Sequence, residues 1–168
     1  MAAGVDVRRT ARLVLRRIEP GDLEWVAALH ADPLNYTHAP DGAHPPDRAR
    51  ALAEAGLRSW ERDGICYWIV EHAGAPVGMA GLTRAVFAGR ASWNLYYRFI
   101  PAARGRGFAT EAAREALAVA AELDPARPVV VRTRPDNAPA RRLAETLGLE
   151  RRADLDAEGF VVYASEAG

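Results

Sequence analysis

The segment from residue 93 to residue 110 constrains the fold most, because it joins a strand to a helix through a glycine loop. Its sequence is Trp-Asn-Leu-Tyr-Tyr-Arg-Phe-Ile-Pro-Ala-Ala-Arg-Gly-Arg-Gly-Phe-Ala-Thr. We predict that the strand ends at Pro101 and that the following helix spans residues 111–123. Gly105 and Gly107 can adopt backbone conformations that other residues resist, so several N–H groups can converge on one anion at the positive end of the helix. The segment therefore indicates a phosphate cradle and a nucleotide-bearing ligand.

Two common classes of glycine-rich phosphate loop are excluded by the residues present. The P-loop requires a Lys, and all 22 basic residues of this chain are Arg. The dinucleotide-binding fingerprint would need Gly at the position of Thr110. The remaining pattern is Arg104-x-x-Gly107-x-Ala109, followed after a further strand by Asn137-x-x-Ala140 and Leu147-Gly148-Leu149.

This pattern resembles that of the GNAT acetyltransferase superfamily. The likeness covers about residues 10–165, and residues 10–31 look like the opening strand and first helix of the subgroup that includes ribosomal-protein N-terminal acetyltransferases. The resemblance implies an α/β (α+β) fold with a mixed, centrally splayed β-sheet flanked by helices. It also implies an N-acetyltransferase that transfers acetyl from acetyl-CoA to a primary amine of a protein or peptide N-terminus by direct attack.

Length and composition favour one domain, predicted over residues 1–168. The 168 residues with 49% hydrophobic content suit a single core. The formal net charge of zero argues against a sequence-independent nucleic-acid binder, and we find no apolar run of the ~20 residues that span a membrane. Cys66, in the apolar run 65–70, is the only cysteine; we predict a buried structural thiol in a protein of the reducing cytoplasm. A homodimer is compatible with the fold.

The predicted element order is β-α-α-β-β-β-α-β-α-β-β. The expected strands cover residues 12–18, 65–72, 76–84, 92–100, 128–134, 149–155 and 160–165. The expected helices begin near residues 20–22 and 45–47, cover residues 111–123, and begin after residue 137. Residues 73–75 are short enough to connect a hairpin.

The resemblance also implies which residues hold acetyl-CoA. Backbone groups of Phe99 and Ile100 would hold the pantetheine arm as though it were another strand. The pyrophosphate would lie against the loop formed by Arg104, Gly105, Arg106, Gly107, Phe108, Ala109 and Thr110. Asn137, Arg141 and Arg142 would lie beside the arm and the adenine-ribose end. Alternatively, Asn137 is a plain helix cap and the two arginines belong to a solvated face.

Catalysis requires a neutral amine, a hydrogen-bond donor for the developing oxyanion, and release of the thiolate. Relatives often carry Glu near the position of Asn94, and an Asn cannot accept a proton. Asn94 could instead orient a water or the acceptor. Glu71 and His72 are candidate proton acceptors, although each also suits the surface of a strand.

The usual proton donors for the leaving thiolate are absent. Where relatives place Tyr or Ser, this chain has Ala144 and Ala140. A thiol pKa of about 8.5 makes the thiolate a tolerable leaving group without full protonation. Tyr97 and Tyr163 are candidate donors, with an ordinary core position as the alternative for each.

The acceptor site is expected in the loop of residues 31–46. Asp32, Asp41 and Asp47 could attract a cationic amine, and Tyr36 and His38 could pack against it. A solvated loop without a ligand is the alternative. Three histidines fall in this region, but their proline-interrupted spacing lacks a compact ligand pattern, so no metal site is predicted.

The sequence is compatible with three functions. They are acetylation of a protein or peptide amine, acetylation of a small amine such as an amino-acid derivative, polyamine or antibiotic, and non-catalytic binding of acyl-CoA.

Overall fold

The computed structural model describes residues 5–166, so residues 1–4 and 167–168 of the predicted domain lie outside the described residues. The elements, in chain order, are β1 Val7–Arg9, β2 Leu13–Arg16, α1 Leu23–Ala31, α2 Pro46–Asp63, β3 Tyr67–His72, β4 Ala75–Phe87, β5 Arg90–Phe99, α3 Phe108–Leu123, β6 Val129–Thr133, α4 Ala138–Thr146, β7 Glu150–Arg151 and β8 Val161–Ala164.

The strands form one sheet in the order β1-β2-β3-β4-β5-β6-β8-β7. Neighbouring strands are antiparallel except β5 and β6, which are parallel. β5 pairs with β4 from Arg90 to Phe99, but it pairs with β6 only at Trp93 and Asn94. Beyond Asn94 the two strands diverge. This geometry confirms the predicted mixed sheet with a central splay.

Two tight turns produce the long hairpins on one side of the splay. Ala73 and Gly74 connect β3 to β4, and Ala88 and Gly89 connect β4 to β5. All four residues have positive φ, as type I′ turns require, and such turns match the twist of the flanking strands. The hairpin predicted at residues 73–75 is therefore confirmed.

Helices cover both faces of the sheet. Side chains alternate between faces along a strand, and on β5 the ring of Tyr96 lies 6.4 Å from that of His30 in α1. The neighbouring Tyr97 reaches the opposite face, where its hydroxyl donates to the Ala140 carbonyl in α4 at 3.3 Å. α1 and α2 therefore lie on one face and α4 on the other. α3 packs against β4 and β5.

The core contains large aromatic and aliphatic side chains together with small residues of α3. Among the side chains that are almost fully buried are Trp68, Trp93, Tyr163, Phe108, Leu13, Leu15, Ile18, Ile65, Ile69 and Leu82. Within α3, Ala112, Ala113, Ala116 and Ala120 are buried, which lets the helix backbone lie close to the sheet. Cys66 is also buried, and burial raises the pKa of its thiol, as expected for a structural cysteine.

Several elements differ from the prediction, most clearly α3, β7 and β1. α3 begins at Phe108 rather than at residue 111, because Gly107 adopts φ of 79° and already serves as the N-cap. The strand expected over residues 149–155 shortens to β7, and a 3-10 turn follows at Ala153–Leu155. There the Asp156 carboxylate accepts a hydrogen bond from the Val162 N–H at 3.1 Å, which holds a loop before β8. β1 was not predicted.

Candidate functional site

The divergence of β5 from β6 leaves backbone groups of β5 without a strand partner. The Trp93 N–H donates toward β6, to the Pro128 carbonyl at 2.8 Å, whereas the Ile100 N–H donates to a β4 carbonyl at 3.0 Å. Because backbone groups alternate in direction along a strand, the N–H groups of Tyr97 and Phe99 face the gap. An extended ligand can therefore pair with this edge of β5.

Ile100 differs from Phe99 in this respect. Its N–H donates to the Val77 carbonyl at 3.0 Å, and its carbonyl accepts from the Ala103 N–H at the same distance. Both backbone groups are used within the chain. The expected contact of Ile100 with the pantetheine arm is corrected on this ground.

The glycine loop presents a series of unpaired donors at the start of α3. Within residues 5–166, none of the backbone N–H groups from Gly105 to Thr110 donates to an acceptor of the chain. Gly105 and Gly107 have φ of 72° and 79°, the left-handed region that favours glycine. Successive N–H groups in such a turn form a concave anion site, and the helix dipole adds to its positive potential. The loop therefore suits a pyrophosphate.

The turn between β1 and β2 holds this loop in place. The Arg12 guanidinium donates to the Glu111 carboxylate at 2.7 Å and to the Arg106 carbonyl at 2.9 Å. The same carboxylate accepts from the Thr10 hydroxyl at 2.6 Å and from the Arg12 N–H at 2.9 Å. Burial alone would raise the pKa of Glu111, but these hydrogen bonds outweigh it and hold the pKa below its usual range. The loop is thus fixed before a ligand binds.

His72 belongs to the surroundings of this loop. Its Nδ1 lies 3.1 Å from the Arg12 carbonyl, and its Nε2 lies 3.2 Å from a guanidinium nitrogen of Arg106. The carbonyl can only accept and the guanidinium can only donate, so this geometry fits the tautomer with a proton on Nδ1. The His72 ring also lies 4.6 Å from that of Phe108. His72 therefore supports the loop rather than accepting a proton from an amine.

A cleft of about 680 Å³ extends from the glycine loop along β5. Its lining includes nine of the residues expected to bind acetyl-CoA: Phe99, Arg104, Gly105, Gly107, Phe108, Ala109, Thr110, Asn137 and Arg142. Arg141 turns away and donates to the Pro135 carbonyl at 3.0 Å and to the Tyr163 hydroxyl at 3.3 Å. The two arginines of α4 are therefore separated, with only Arg142 in the cleft.

Asn137 is both a helix cap and a residue of the cleft, the two alternatives predicted for it. Its side-chain oxygen accepts from the Ala140 N–H at 3.3 Å, which confirms the helix cap. The residue also lines the cleft. Because the cap uses the oxygen, the Asn137 side-chain amide retains its two donors for a ligand.

A second cavity of about 310 Å³ adjoins the cleft at the splay. It is lined by Asn35, Tyr36, His38, Ala39, Leu95, Tyr96, Tyr97, Arg98, Val131, Arg132, Thr133, Arg134, Asn137, Ala140 and Phe160. Residues common to both cavities include Tyr97, Arg98 and Asn137. A ligand in the cleft and a second molecule in this cavity would therefore meet beside β5. We refer to the second cavity as the acceptor cavity.

Of the candidate catalytic residues, Asn94 and Tyr97 lie at this junction or beside it. The Asn94 side-chain amide donates to the Tyr67 hydroxyl at 3.0 Å, at the position where the strands begin to diverge. Tyr97 lines both cavities, and burial raises the pKa of its phenol, so the hydroxyl stays protonated. It currently donates to the Ala140 carbonyl.

Glu71 lies far from the junction of the two cavities. Its assignment as a proton acceptor is therefore corrected. It pairs with Pro76 on β4, whereas Asn94 pairs with Thr83, seven residues further along the same strand. At about 3.3 Å per residue the separation is roughly 23 Å. The Glu71 carboxylate accepts instead from Arg16 at 2.8 Å.

Tyr163 is also excluded as a donor to a leaving thiolate. Its side chain is almost fully buried, and its hydroxyl donates to the Glu145 carboxylate at 3.2 Å. It lines neither cavity.

The predicted acceptor loop divides into structural and cavity-lining residues. Asp32 caps a short turn by accepting from the Leu34 N–H at 2.9 Å, and it lines neither cavity. Tyr36 and His38 do line the acceptor cavity. The Arg98 guanidinium lies 3.9 Å from the centre of the Tyr36 ring and donates to the Asn35 carbonyl at 2.6 Å.

The charged residues that line the acceptor cavity are therefore mainly arginines, whereas acidic residues were expected. Sequence reasoning missed Arg98, Arg132 and Arg134. The alternation of side chains along strands 92–100 and 128–134 could have placed Arg98 and Arg132 beside the gap. The position of Arg134 depends on the loop before β8.

His30 lies behind this cavity as a neutral residue. It is buried, and burial together with the positive charge of Arg98 and the neighbouring His44 lowers its pKa to about 4. Its Nδ1 lies 3.1 Å from the Tyr36 hydroxyl. His30 therefore carries no charge near neutral pH and positions Tyr36.

Within residues 5–166, no group of three or more His, Cys, Asp or Glu side chains is arranged to hold a metal ion. In the same part of the chain, no helix combines the length and apolar character needed to cross a bilayer.

A splayed mixed sheet with an anion site beside the gap defines a class of acetyltransferases, and residues 12–150 match the model of the acetyltransferase (GNAT) domain. The chain belongs to the GNAT acetyltransferase family. A search of curated proteins by sequence finds no match.

Solved structures share the fold over nearly the whole chain. An acetyltransferase from Agrobacterium tumefaciens str. C58 has a TM-score of 0.82 at 21% identity, covering 99% of this chain and 97% of the other. RimL, a ribosomal L7/L12 α-N-protein acetyltransferase in complex with coenzyme A, has a TM-score of 0.74 at 14% identity, covering 95% and 97%. A ribosomal-protein-S5-alanine acetyltransferase from Vibrio fischeri has a TM-score of 0.71 at 11% identity, covering 95% of each chain.

Proposed function

We propose that this protein is an acetyl-CoA-dependent N-acetyltransferase that acts on the N-terminal amine of a protein or peptide. The main support is one arrangement: a phosphate-binding loop and an unpaired strand edge line a cleft that meets a second cavity at the splay. The named ribosomal-protein acetyltransferases among the structural neighbours support the choice of a protein amine as acceptor.

The residues of the cleft suit acetyl-CoA. The unpaired N–H groups of residues 105–110 match a pyrophosphate, and Tyr97 and Phe99 offer backbone groups to an extended arm. Arg142 and the side-chain amide of Asn137 add donors along the same cleft. When bound, acetyl-CoA supplies a thioester whose carbonyl carbon accepts the amine.

Stabilisation of developing negative charge falls to the backbone of β5. The Tyr97 N–H faces the gap without a strand partner, in a position shared by the two cavities. A fixed backbone donor stabilises an oxyanion without reorganisation during the reaction. The Tyr97 hydroxyl, which burial keeps protonated, is available to donate a hydrogen bond to a leaving thiolate, which then takes its proton from solvent.

Delivery of a neutral amine does not require a carboxylate in this site. Within the described residues, no Asp or Glu lines the acceptor cavity. Positive charge nearby disfavours the ammonium form of an amine, just as Arg98 contributes to the lowered pKa of His30. The arginines therefore favour the neutral, nucleophilic form, and the excess proton leaves to solvent.

Thiol release from acetyl-CoA by the purified protein tests this proposal. The acceptors are peptides with free N-termini, the same peptides with blocked N-termini, amino acids, polyamines and aminoglycosides. Release that depends on the free peptide N-terminus is the expected result. Release only with small amines would replace the protein acceptor by a small-molecule acceptor. Tight acetyl-CoA binding by calorimetry without release from any amine would favour a non-catalytic acyl-CoA-binding module.

A further inference from the structure

The acceptor cavity is strongly basic. Arg98, Arg132 and Arg134 line it, and in the part of the chain that the structure describes no carboxylate lines it. An ordinary ammonium acceptor would meet repulsion here without a counter-charge. The charge of the residues that line the cavity therefore indicates the charge of the acceptor that it binds.

Arg98 is held rigidly at this wall. Its Nε donates to the Tyr96 hydroxyl at 2.7 Å, one terminal nitrogen donates to the Asn35 carbonyl at 2.6 Å, and its plane lies over the Tyr36 ring. All these partners are uncharged. A half-buried guanidinium without an anion is costly, so a bound anion would stabilise it.

Arg132 and Arg134 extend the positive surface on the β6 side. Both stack on the Phe160 ring, at 4.8 Å and 4.0 Å from its centre. Arg134 donates to the Glu158 and Gly159 carbonyls at 3.3 Å and 3.2 Å. Neither guanidinium forms an ion pair within residues 5–166.

Arginines elsewhere in the same region behave differently. Arg151 forms an ion pair with Asp156, and Arg152 pairs with Asp154 at 2.6 Å. Near the cavity, the Asp136 carboxylate lies 3.3 Å from His38, but its side chain is 70% exposed and does not line the cavity. Asp154 and Asp156, which share another pocket with Arg132, thus pair with other arginines, and within residues 5–166 no carboxylate forms an ion pair with an arginine of the acceptor cavity.

We propose that the acceptor carries an anionic group, a carboxylate close to the reacting amine, which Arg132 and Arg134 bind together with Arg98. The inference rests on the proposed acetyltransferase function and narrows its substrate class. The carboxylate belongs either to an acidic side chain that follows the N-terminus of a peptide or to a free amino acid. Guanidinium groups bind carboxylates through charge-assisted, often bidentate, hydrogen bonds.

Matched acceptors test the charge requirement. One arm uses three peptides that differ only at the second and third residues, which are Asp, Asn or Lys. The other arm compares β-alanine with β-alaninamide. For thiol release, we expect kcat/KM to be about tenfold higher for the Asp peptide than for its Asn counterpart, and lowest for the Lys peptide. A preference confined to one arm identifies the source of the carboxylate.

Variants of Arg132 connect the preference to the cavity. Within residues 5–166 this guanidinium forms no hydrogen bond or ion pair and stacks on the Phe87 and Phe160 rings, so Arg132→Gln should fold normally. We expect Arg132→Gln to raise KM for the Asp peptide and so to reduce the preference for the Asp peptide over the Asn peptide. Arg132→Lys, which keeps the charge, should retain much of the preference. Arg90→Gln, at the far end of β5, is the matched control and should retain all of it.

The outcomes separate this inference from the proposed function. Absence of a preference for the anionic acceptor in both arms would overturn the anionic acceptor while leaving the acetyltransferase intact. Absence of thiol release with every acceptor would overturn the proposed function. In that case, calorimetric titration of the coenzyme A-saturated protein decides the inference: selective binding of the Asp peptide supports it, and equal or absent binding overturns it.

Discussion

At the scale of single residues, Gly107 has three properties that no other residue type could combine. Its φ of 79° lies in the left-handed region, it caps α3, and it belongs to the series of unpaired N–H donors. A Cβ built at this position would lie 3.3 Å from a guanidinium nitrogen of Arg12. A side chain here would therefore disturb both the loop and its Arg12 support.

Gly107→Val should weaken acetyl-CoA binding about tenfold or more. A β-branched residue in the left-handed region costs on the order of 1–3 kcal/mol, and its Cβ would crowd a bound phosphate. Calorimetry of the folded variant measures the effect. Gly64→Val is the matched control, because Gly64 also has positive φ, at 65°, but a Cβ there meets nothing within 4 Å. That variant should lose stability and keep its affinity; unchanged affinity in Gly107→Val would contradict the phosphate site.

Some features of single residues could be predicted from the sequence, and others could not. The conformation of the glycine loop was predictable because two glycines before a helix favour positive φ. Asn137 was predicted as a cap from its residue type alone. Glu71 was misassigned because a strand residue's distance from a site depends on the register of two pairings, which a single sequence does not specify.

At the scale of elements, the unequal pairing of β5 creates the site. β4 covers the whole length of β5, whereas β6 leaves it after two positions. Hydrophobic patterning predicted both strands but not the point of divergence, since parallel pairing depends on contacts distant in the sequence. β1 escaped prediction and β7 was predicted too long, because both are brief edge strands with exposed residues.

Amide exchange offers a direct test of this element. Acetyl-CoA should slow hydrogen exchange at Tyr97 and Phe99, whose N–H groups face the gap and would gain acceptors. Exchange at Trp93 and Ile100 should change little, because their N–H groups already donate to carbonyls of the chain. NMR of the free and acetyl-CoA-saturated protein distinguishes the four amides. Equal protection at all four would argue against strand-like pairing of the ligand.

At the scale of the whole molecule, carboxylates of α3 tie the first two strands to the rest of the fold. Glu111 accepts from Thr10 and Arg12, and Glu115 accepts from Arg8 at 2.6 Å. These contacts join residues about a hundred positions apart in the chain. The folding of the N-terminal strands and the shape of the glycine loop are therefore linked through ionised groups.

Glu111→Gln should lower the free energy of unfolding at pH 7 by about 1–3 kcal/mol, the usual effect of losing hydrogen bonds to a charged group. The folded-state pKa of Glu111 is depressed, so its contribution is present above the unfolded-state pKa and is lost as pH falls through the folded-state value. The difference between wild type and variant should therefore shrink as the solution is acidified below pH ~4.5.

Urea denaturation at a series of pH values measures this difference. Glu61→Gln is the control, since Glu61 is an exposed residue of α2 without an ion pair in the described chain. It should leave stability unchanged within about 0.5 kcal/mol. A pH-independent difference for Glu111→Gln would show that the carboxylate's charge is not what stabilises the contact.

The position of the splay has a consequence for self-association. A strand with unpaired N–H and C=O groups normally invites strands of other molecules to add to it, which is why proteins shorten or charge the rims of their sheets. Here the unpaired length of β5 lies in the interior of the sheet order, bounded by β6 and by the Leu34–Asn35 segment that Arg104 contacts. The protein can therefore keep a hydrogen-bonding edge open for a narrow, extended ligand and still prevent a pleated strand of a neighbouring molecule from pairing with it.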